Sequence, residues 1–227
     1  WSCFVPFVRI LSLKKCFSRS LESQRHHKKK KTGTRLHCQL YSADAAKELG
    51  SAATSDFTSK NKHIRTDANR CVLNECLIDR GSSSYLTKLD LFVDGQFVTK
   101  VQADGLIIAT PSGSTAYSLA AGGSMIAPSV SCTLVTPVAP HSLSFRPLVV
   151  DSASTVEVSV PNDARGPARI SFDGRNTMEM ERGMMVRINR SDTPMPIVNM
   201  RHGNQEWFDG IKQKLSFNLR MEQKPFS

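Results

Sequence analysis

Hydroxyls, glycines and one carboxylate crowd a single stretch of this chain, ADGLIIATPSGSTAYSLAAGG, from Ala103 to Gly123. Its polar groups are Asp104, Ser112, Ser114, Thr115, Tyr117 and Ser118. Leu106–Ala109 shows no polar alternation, which suits a strand buried on both faces. Pro111 ends that strand, and Gly113 permits backbone conformations that other residues resist. Ser114 is expected to cap a short helix, Thr115 to Ala121, closed by Gly122. A helix start of this kind turns free N–H groups outward, and the hydroxyls add donors for a phosphate or a ribose. Tyr117 offers an aromatic face to a base, and Asp104 an acceptor for sugar hydroxyls. The competing reading is an ordinary capped turn. The carboxylate placed just before a buried strand favours nucleotide binding.

Other chemistries find no support. No Gly-x-x-x-x-Gly-Lys-Ser/Thr occurs, so the chain is not a P-loop NTPase. No Gly-x-Ser-x-Gly elbow occurs either, so Ser112 and Ser114 have no hydrolase context. His141, in TPVAPHSLSFRP, has no nameable partner and reads as a structural histidine in a Pro-bounded loop. The six cysteines lack CxxC pairs and metal-ligand spacing, as in a reduced intracellular protein rather than a disulfide scaffold.

The elements that must position these groups are mostly strands. TRLHCQLY alternates as a first strand, whereas 43–69 is polar and reads as a variable loop. CVLNECLI reads as one apolar strand interrupted by Asn74 and Glu75. LDLFVDGQFVTKV is a hairpin signal around Asp94-Gly95, and ARISFDGRNTMEM repeats it around Asp173-Gly174. STVEVSV and GMMVRINR supply further strands. Only two helices are expected: the short one after Ser114, and one from about Glu206 with the apolar stripe Trp207, Phe208, Ile211 and Leu215.

The net charge of +10 is concentrated in QRHHKKKKTGTR, Gln24 to Arg35. Residues 1–31 are expected to be a disordered basic extension outside the fold; nucleic-acid binding through Lys28–Lys31 is the lesser alternative. The acid-poor opening resembles an organelle transit peptide, but the expected location is cytoplasmic. No stretch has the apolar length of a membrane span, so no membrane partner is expected. A start at Trp1 is the expectation for a fragment or a processed product.

Four motifs then carry a resemblance. VLNECLIDRG (72–81), ADGLIIATPSGSTAYSLAAGGSMIAPSV (103–130), TPVAPHSLSFRPLVV (136–150) and ISFDGR (170–175) resemble, in order, those of the NAD kinase family, the eukaryotic branch in particular. RLHC resembles the family strand before its Asn-Glu motif, and the likeness spans about Thr34 to Leu219. It implies phosphoryl transfer from ATP, or in some members polyphosphate, to the adenosine ribose 2′-hydroxyl of NAD, with a divalent metal such as Mg. It implies a mainly β fold: an NAD-binding β-sandwich over 32–205, with one short internal helix, followed by a C-terminal helix and tail over 206–227.

Carried over by residue, Asn74 and Glu75 contact NAD sugar or base groups, and Asp104 holds a ribose hydroxyl, often of a dinucleotide bound mainly by a neighbouring subunit. Thr115, Ala116, Tyr117 and Ser118 line the adenine and ribose pocket. Tyr85, Gln102, Ser112, Ser114 and Arg175 are further NAD contacts. Sharing of sites implies a homo-oligomer. Two departures stand out: Ala103 replaces a usual glycine, and the family's Gly-Gly-Asp-Gly-Thr, whose aspartate is the proposed base, is not among the 227 residues. The implied N-terminal α/β domain is therefore expected to be absent from this chain, and no catalytic residue is assigned within it. The alternative function is a non-catalytic module for NAD binding or oligomerisation.

Overall fold

The computed structural model describes residues 30–51, 66–198 and 203–218. Two six-stranded sheets face each other, and every strand pair in them is antiparallel. The first sheet contains β2 (Leu36–Tyr41), β3 (Thr66–Val72), β5 (Thr87–Val93), β6 (Gln96–Ala103), β10 (Val156–Ser159) and β13 (Met185–Arg190), in the order β3-β2-β13-β10-β5-β6. The second contains β4 (Glu75–Asp79), β7 (Gly105–Ala109), β8 (Cys132–Val138), β9 (Leu148–Asp151), β11 (Ala168–Phe172) and β12 (Arg175–Met180), in the order β12-β11-β4-β7-β8-β9. A ribbon of β1 (Lys30–Gly33) and β14 (Met195–Val198) stands apart.

Alternation builds the core. Leu36, Cys38 and Leu40 of β2 turn inward while His37 and Gln39 turn out, and Leu89, Leu91, Val156, Val158, Val186 and Ile188 repeat the pattern. The opposing face is made of Cys76, Ile78, Leu106, Ile108, Ile170 and Phe172. The four cysteines among the described residues are free thiols. Leu106–Ala109 is buried throughout, as its unbroken apolar run requires: Leu106 and Ile108 face the sandwich core, Ile107 and Ala109 a second cluster on the outer face of the same sheet.

Both hairpins form at their Asp-Gly pairs, joining β5 to β6 and β11 to β12. Elsewhere the chain departs from the sequence reading. The segment 43–69 is not all loop, because helix α1 (Ala43–Ser51) and the start of β3 lie in it. Ser42 opens α1, its Oγ 3.5 Å from the Ala45 N–H, and Ala45 packs on Tyr41 and Met185. CVLNECLI is two strands in different sheets, with a bend at Leu73–Asn74 where the chain crosses between them. Strand structure starts at Lys30, two residues inside the segment expected to lie outside the fold; the rest of 1–29 lies outside the described residues.

The short helix is a 3-10 turn (Gly113–Thr115), a break at Ala116, and α2 (Tyr117–Ala120). β8 escaped the sequence reading because Pro137 and its threonines mask an apolar strand, yet it is a central neighbour of β7. The C-terminal helix α3 (Gln205–Leu215) carries Glu206 in its first turn and Lys212 and Lys214 in its last, matching the helix dipole. Gly210 and Ile211 are buried, Trp207 is half-buried against Phe208, and Phe208 is exposed. The expected stripe is thus only partly covered. Asn204 Nδ2 donates to Ser129 Oγ at 2.7 Å, tying the helix start to the loop before β8.

Candidate functional site

The site grows from the ends of three strands that meet beside the crossing at Leu73–Asn74. β4 begins at Glu75, whose partner across the ladder is Ala109, the last residue of β7; β11 ends one residue before Asp173. A bend between sheets leaves backbone groups without ladder partners, and side chains must take them up. Thr110 does so from one side: its N–H donates to the Asn74 carbonyl at 2.9 Å and its hydroxyl to the Leu73 carbonyl at 2.6 Å. Asp173 does so from the other. Its Oδ2 accepts the Leu73 N–H at 2.8 Å, and its Oδ1 accepts the N–H groups of Asn74 at 2.8 Å and Glu75 at 3.2 Å. The Asp173 N–H in turn donates to the Glu75 carbonyl at 3.0 Å.

Held this way, Asn74 and Glu75 present unsatisfied atoms. Asn74 Oδ1 and Glu75 Oε2 are buried and have no hydrogen-bond partner. Such groups are rare because each costs free energy, and a donor placed against them would complete their bonding; the third among the described residues is Asp90 Oδ1, in β5. Burial, with the Asp173 charge adding to it, pushes the Glu75 carboxyl up to about 7. At neutral pH Glu75 is therefore poised between donor and acceptor.

Glu75, Leu77 and Asp79 alternate onto the outer face of β4, the face that Leu77 shares with Ile107 and Ala109. Tyr117 stands over this face and remains 41% exposed. Burial raises its hydroxyl pKa, and the charges of Asp79, Asp104 and Glu75 raise it further. Asp104 sits where the chain crosses from β6 to β7. Arg80 fixes it: Nε donates to Asp104 Oδ1 at 2.7 Å, and the Arg80 N–H to the Asp104 carbonyl at 3.0 Å. A second guanidinium, Arg169, grips Asp79 through both nitrogens at 2.9 and 2.8 Å.

The serines play a different part from the one expected. Ser114 is buried and does not cap a helix; its hydroxyl donates to the Pro111 carbonyl at 2.7 Å and accepts the Ile126 N–H at 2.9 Å. The N–H groups of the turn are also used internally, Gly113 to Thr110 Oγ1 and Ala116 to the Gly113 carbonyl. An outward-facing helix start does not form, because Thr110 and the turn itself consume the donors. Ser118 is buried against Thr136 at 2.9 Å, and a Cβ on Gly123 would strike its oxygen. Ser112 and Thr115 are half-buried, with Thr115 Oγ1 donating to the Ser112 carbonyl at 3.3 Å. Gly113 is required by close approach: a Cβ there would collide with the Asn74 carbonyl oxygen.

The fold therefore sets Asn74 and Glu75 against the turn carrying Ser112, Ser114, Thr115, Ala116 and Ser118, which runs into Tyr117, whereas Asp104 lies at the other end of β7 beside Arg80. Arg175 is exposed at the start of β12, two residues past Asp173. Tyr85 lies elsewhere, its hydroxyl filling the space a side chain on Gly166 would need. Gln102 lines two adjoining clefts of about 360 and 310 Å³ that also share His141 and are edged by Lys88, Lys100, Arg146 and Arg165. These clefts belong to the loop side of β6 rather than to the open surface under Tyr117. Sequence reasoning missed Asp173, Thr110, Arg80 and Asp79. Asp173 was visible only as a turn former, since its partners lie 98 to 100 residues away.

A family model described as the ATP-NAD kinase C-terminal domain matches residues 73–200. NAD kinase 2, chloroplastic, of Arabidopsis thaliana is 48% identical over 153 residues, 67% of this chain and 16% of that protein. An ATP-NADH kinase of Saccharomyces cerevisiae is 42% identical over 193 residues, 85% of this chain and 38% of that protein. The chain thus spans less than half the length of either relative. A crystal structure of yeast NADH kinase complexed with NADH superposes with a TM-score of 0.70 at 32% identity, covering 87% of this chain and 51% of that one. An NAD kinase from Archaeoglobus fulgidus in complex with ATP shares the fold alone, with a TM-score of 0.60 at 22% identity and coverage of 81% and 61%.

Proposed function

Since the chain belongs to the ATP-NAD kinase family, we propose that it supplies the NAD-binding part of an enzyme that phosphorylates NAD on its adenosine ribose 2′-hydroxyl. In that reaction the 2′-oxygen forms a new P–O bond, the bond to the leaving ADP oxygen breaks, and the hydroxyl proton departs. ATP is the donor that the family description implies. The observation carrying the reading is the pair of buried, unpartnered acceptors, Asn74 Oδ1 and Glu75 Oε2, beside the accessible Tyr117 ring. Asn74 and Glu75 bind ribose or base groups, Tyr117 stacks on a base, Asp104 accepts from a ribose hydroxyl, and the Thr115–Ser118 turn shapes the floor. The dinucleotide that Asp104 meets is held mainly by a second copy of the chain, which makes the working form a homo-oligomer, and Gln102 is a further NAD contact. Tyr85 and Arg175 serve as outer contacts.

Two parts of the chemistry are not assigned to these residues. Gly-Gly-Asp-Gly-Thr is not among the 227 residues, so the base is not placed here. Among the described residues no group of three His, Cys, Asp or Glu side chains is arranged to hold a metal ion, so no metal ligand is assigned and no step is routed through the divalent metal. No helix among them is long and apolar enough to cross a membrane, and the proposed compartment is the cytoplasm.

Titration calorimetry of the folded chain with NAD tests the reading: weak saturable binding is expected, and its absence refutes it. A second reading is a non-catalytic NAD-binding or oligomerisation module. An assay coupled to an NADP-specific dehydrogenase separates the two. Turnover only when a segment bearing the motif is supplied supports the enzyme; no turnover even then supports the module.

A further inference from the structure

We propose that Asp173 is a positioning residue for NAD, holding the Asn74–Glu75 pair in its binding geometry without touching the ligand. The inference rests on the NAD-binding reading of that pair. Three consecutive N–H groups, from Leu73, Asn74 and Glu75, converge on one carboxylate, and the Asp173 N–H returns a bond to the Glu75 carbonyl. These are charge-assisted bonds at a place where neither sheet supplies partners. With Thr110 holding the carbonyls of Leu73 and Asn74, the whole bend is gripped from both sides. Both side chains that emerge from it, Asn74 and Glu75, carry an unpartnered buried atom. Bonds spent on the backbone leave those side chains free for a ligand, and preorganisation of this kind is what lowers the cost of binding.

The position also constrains the residue type. Asp173 has φ 49°, a left-handed conformation that aspartate and asparagine tolerate better than most side chains. Aspartate alone among these offers two acceptor oxygens. Asparagine keeps the oxygen that accepts from Asn74 and Glu75 but places an NH2 group opposite the Leu73 N–H.

Asp94 provides the control. It occupies the same turn position in the other hairpin, at φ 52°, and its carboxylate accepts the Thr155 N–H at 2.8 Å, far from Asn74 in chain and ladder. The test measures NAD affinity by calorimetry, amide hydrogen exchange at Leu73, Asn74 and Glu75, and the thermal midpoint, in the wild-type chain, Asp173→Ala, Asp173→Asn and Asp94→Ala. Asp173→Ala is expected to bind NAD about tenfold or more weakly, with exchange at the three amides accelerated to a similar extent. Asp173→Asn should recover part of the affinity and protect Asn74 and Glu75 but not Leu73. Asp94→Ala should lower the midpoint and leave NAD affinity unchanged. A folded Asp173→Ala that binds NAD like the wild type overturns the proposal, as does an equal loss in Asp94→Ala. Should the wild-type chain bind no NAD, the proposed function fails, and exchange decides the positioning role: unchanged protection at residues 73–75 overturns it.

Discussion

The β5–β6 hairpin turns on Asp94-Gly95, with φ of 52° and 75°, and the β11–β12 hairpin on Asp173-Gly174, with φ of 49° and 68°. In each, the aspartate reaches out of its own hairpin to a segment distant in sequence. Asp94 exchanges two bonds with Thr155, N–H to carbonyl at 2.9 Å and carboxylate to N–H at 2.8 Å, which ties a turn to the approach to β10. Asp173 exchanges four with Leu73, Asn74 and Glu75. The local chemistry is the same; what differs is the segment at the far end. The Asp94 turn holds the approach to β10, whereas the Asp173 turn holds Asn74 and Glu75, two of the three described residues with an unpartnered buried atom, the third being Asp90 in β5. Turn signals predict where a chain reverses, and only the tertiary neighbour decides whether the turn bears on function.

The hardest way to break the contrast is at the opposite wall of the bend. Gly113→Ala should destabilise the chain by about 3 kcal/mol or more, since its Cβ meets the backbone of Asn74, and should abolish NAD binding. A urea melt with calorimetry checks both.

A pH series sharpens the contrast next. Glu75 has its folded-state pKa raised to about 7 from an ordinary 4.5, by burial and then by the Asp173 charge. The folded chain therefore retains a proton that the unfolded chain has lost, so stability falls as pH rises through that window and levels above it. The loss is about 2 kcal/mol after allowance for partial exposure. Urea midpoints taken at about pH 5 and about pH 8 should differ less in Glu75→Gln and in Asp173→Asn, and should differ as in the wild type in Asp94→Asn.

The turn glycines give a smaller, matched pair. Gly95 and Gly174 both face open space but hold positive φ, so alanine at either should cost about 1–2 kcal/mol from backbone strain. Equal losses in stability, with NAD affinity reduced only by Gly174→Ala, are the expected outcome of parallel melts and titrations. Ser118→Ala should cost about 1 kcal/mol, because Thr136 Oγ1 loses its partner. Tyr117→Ala should spare stability and weaken NAD more than Ser118→Ala does, and comparison of their dissociation constants tests that ranking.

Much of the fold was legible where the signal is local. Leu106–Ala109, the two Asp-Gly hairpins and the alternation of Leu36, Cys38 and Leu40 each follow from near neighbours and strand period. Helix α1 was obscured because its burial rests on Tyr41 and Met185, the latter from a distant strand, and not on an apolar stripe of its own. The split of Val72 from Glu75 into different sheets has no local signature beyond the polar Asn74 itself. For the site, Asp104 and Tyr117 were singled out by residue type and place, and Asn74 and Glu75 by motif resemblance. The capping role expected of Ser114 does not form, since Pro111 and Ile126 engage its hydroxyl only after the chain folds. Asp173, Thr110 and Arg80 act through backbone or through another side chain, and sequence carries no mark of such roles.

The central claim is that NAD occupies the face bounded by Asn74, Glu75 and Tyr117. Titrating NAD into isotopically labelled chain and following amide and side-chain resonances tests it most directly. The account predicts the largest shifts at the Asn74 side-chain amide, the Glu75 amide and the Tyr117 ring, with Asp94 and Thr155 unmoved. Shifts confined to the cleft around Gln102 and His141, with Asn74 and Tyr117 unchanged, would contradict it.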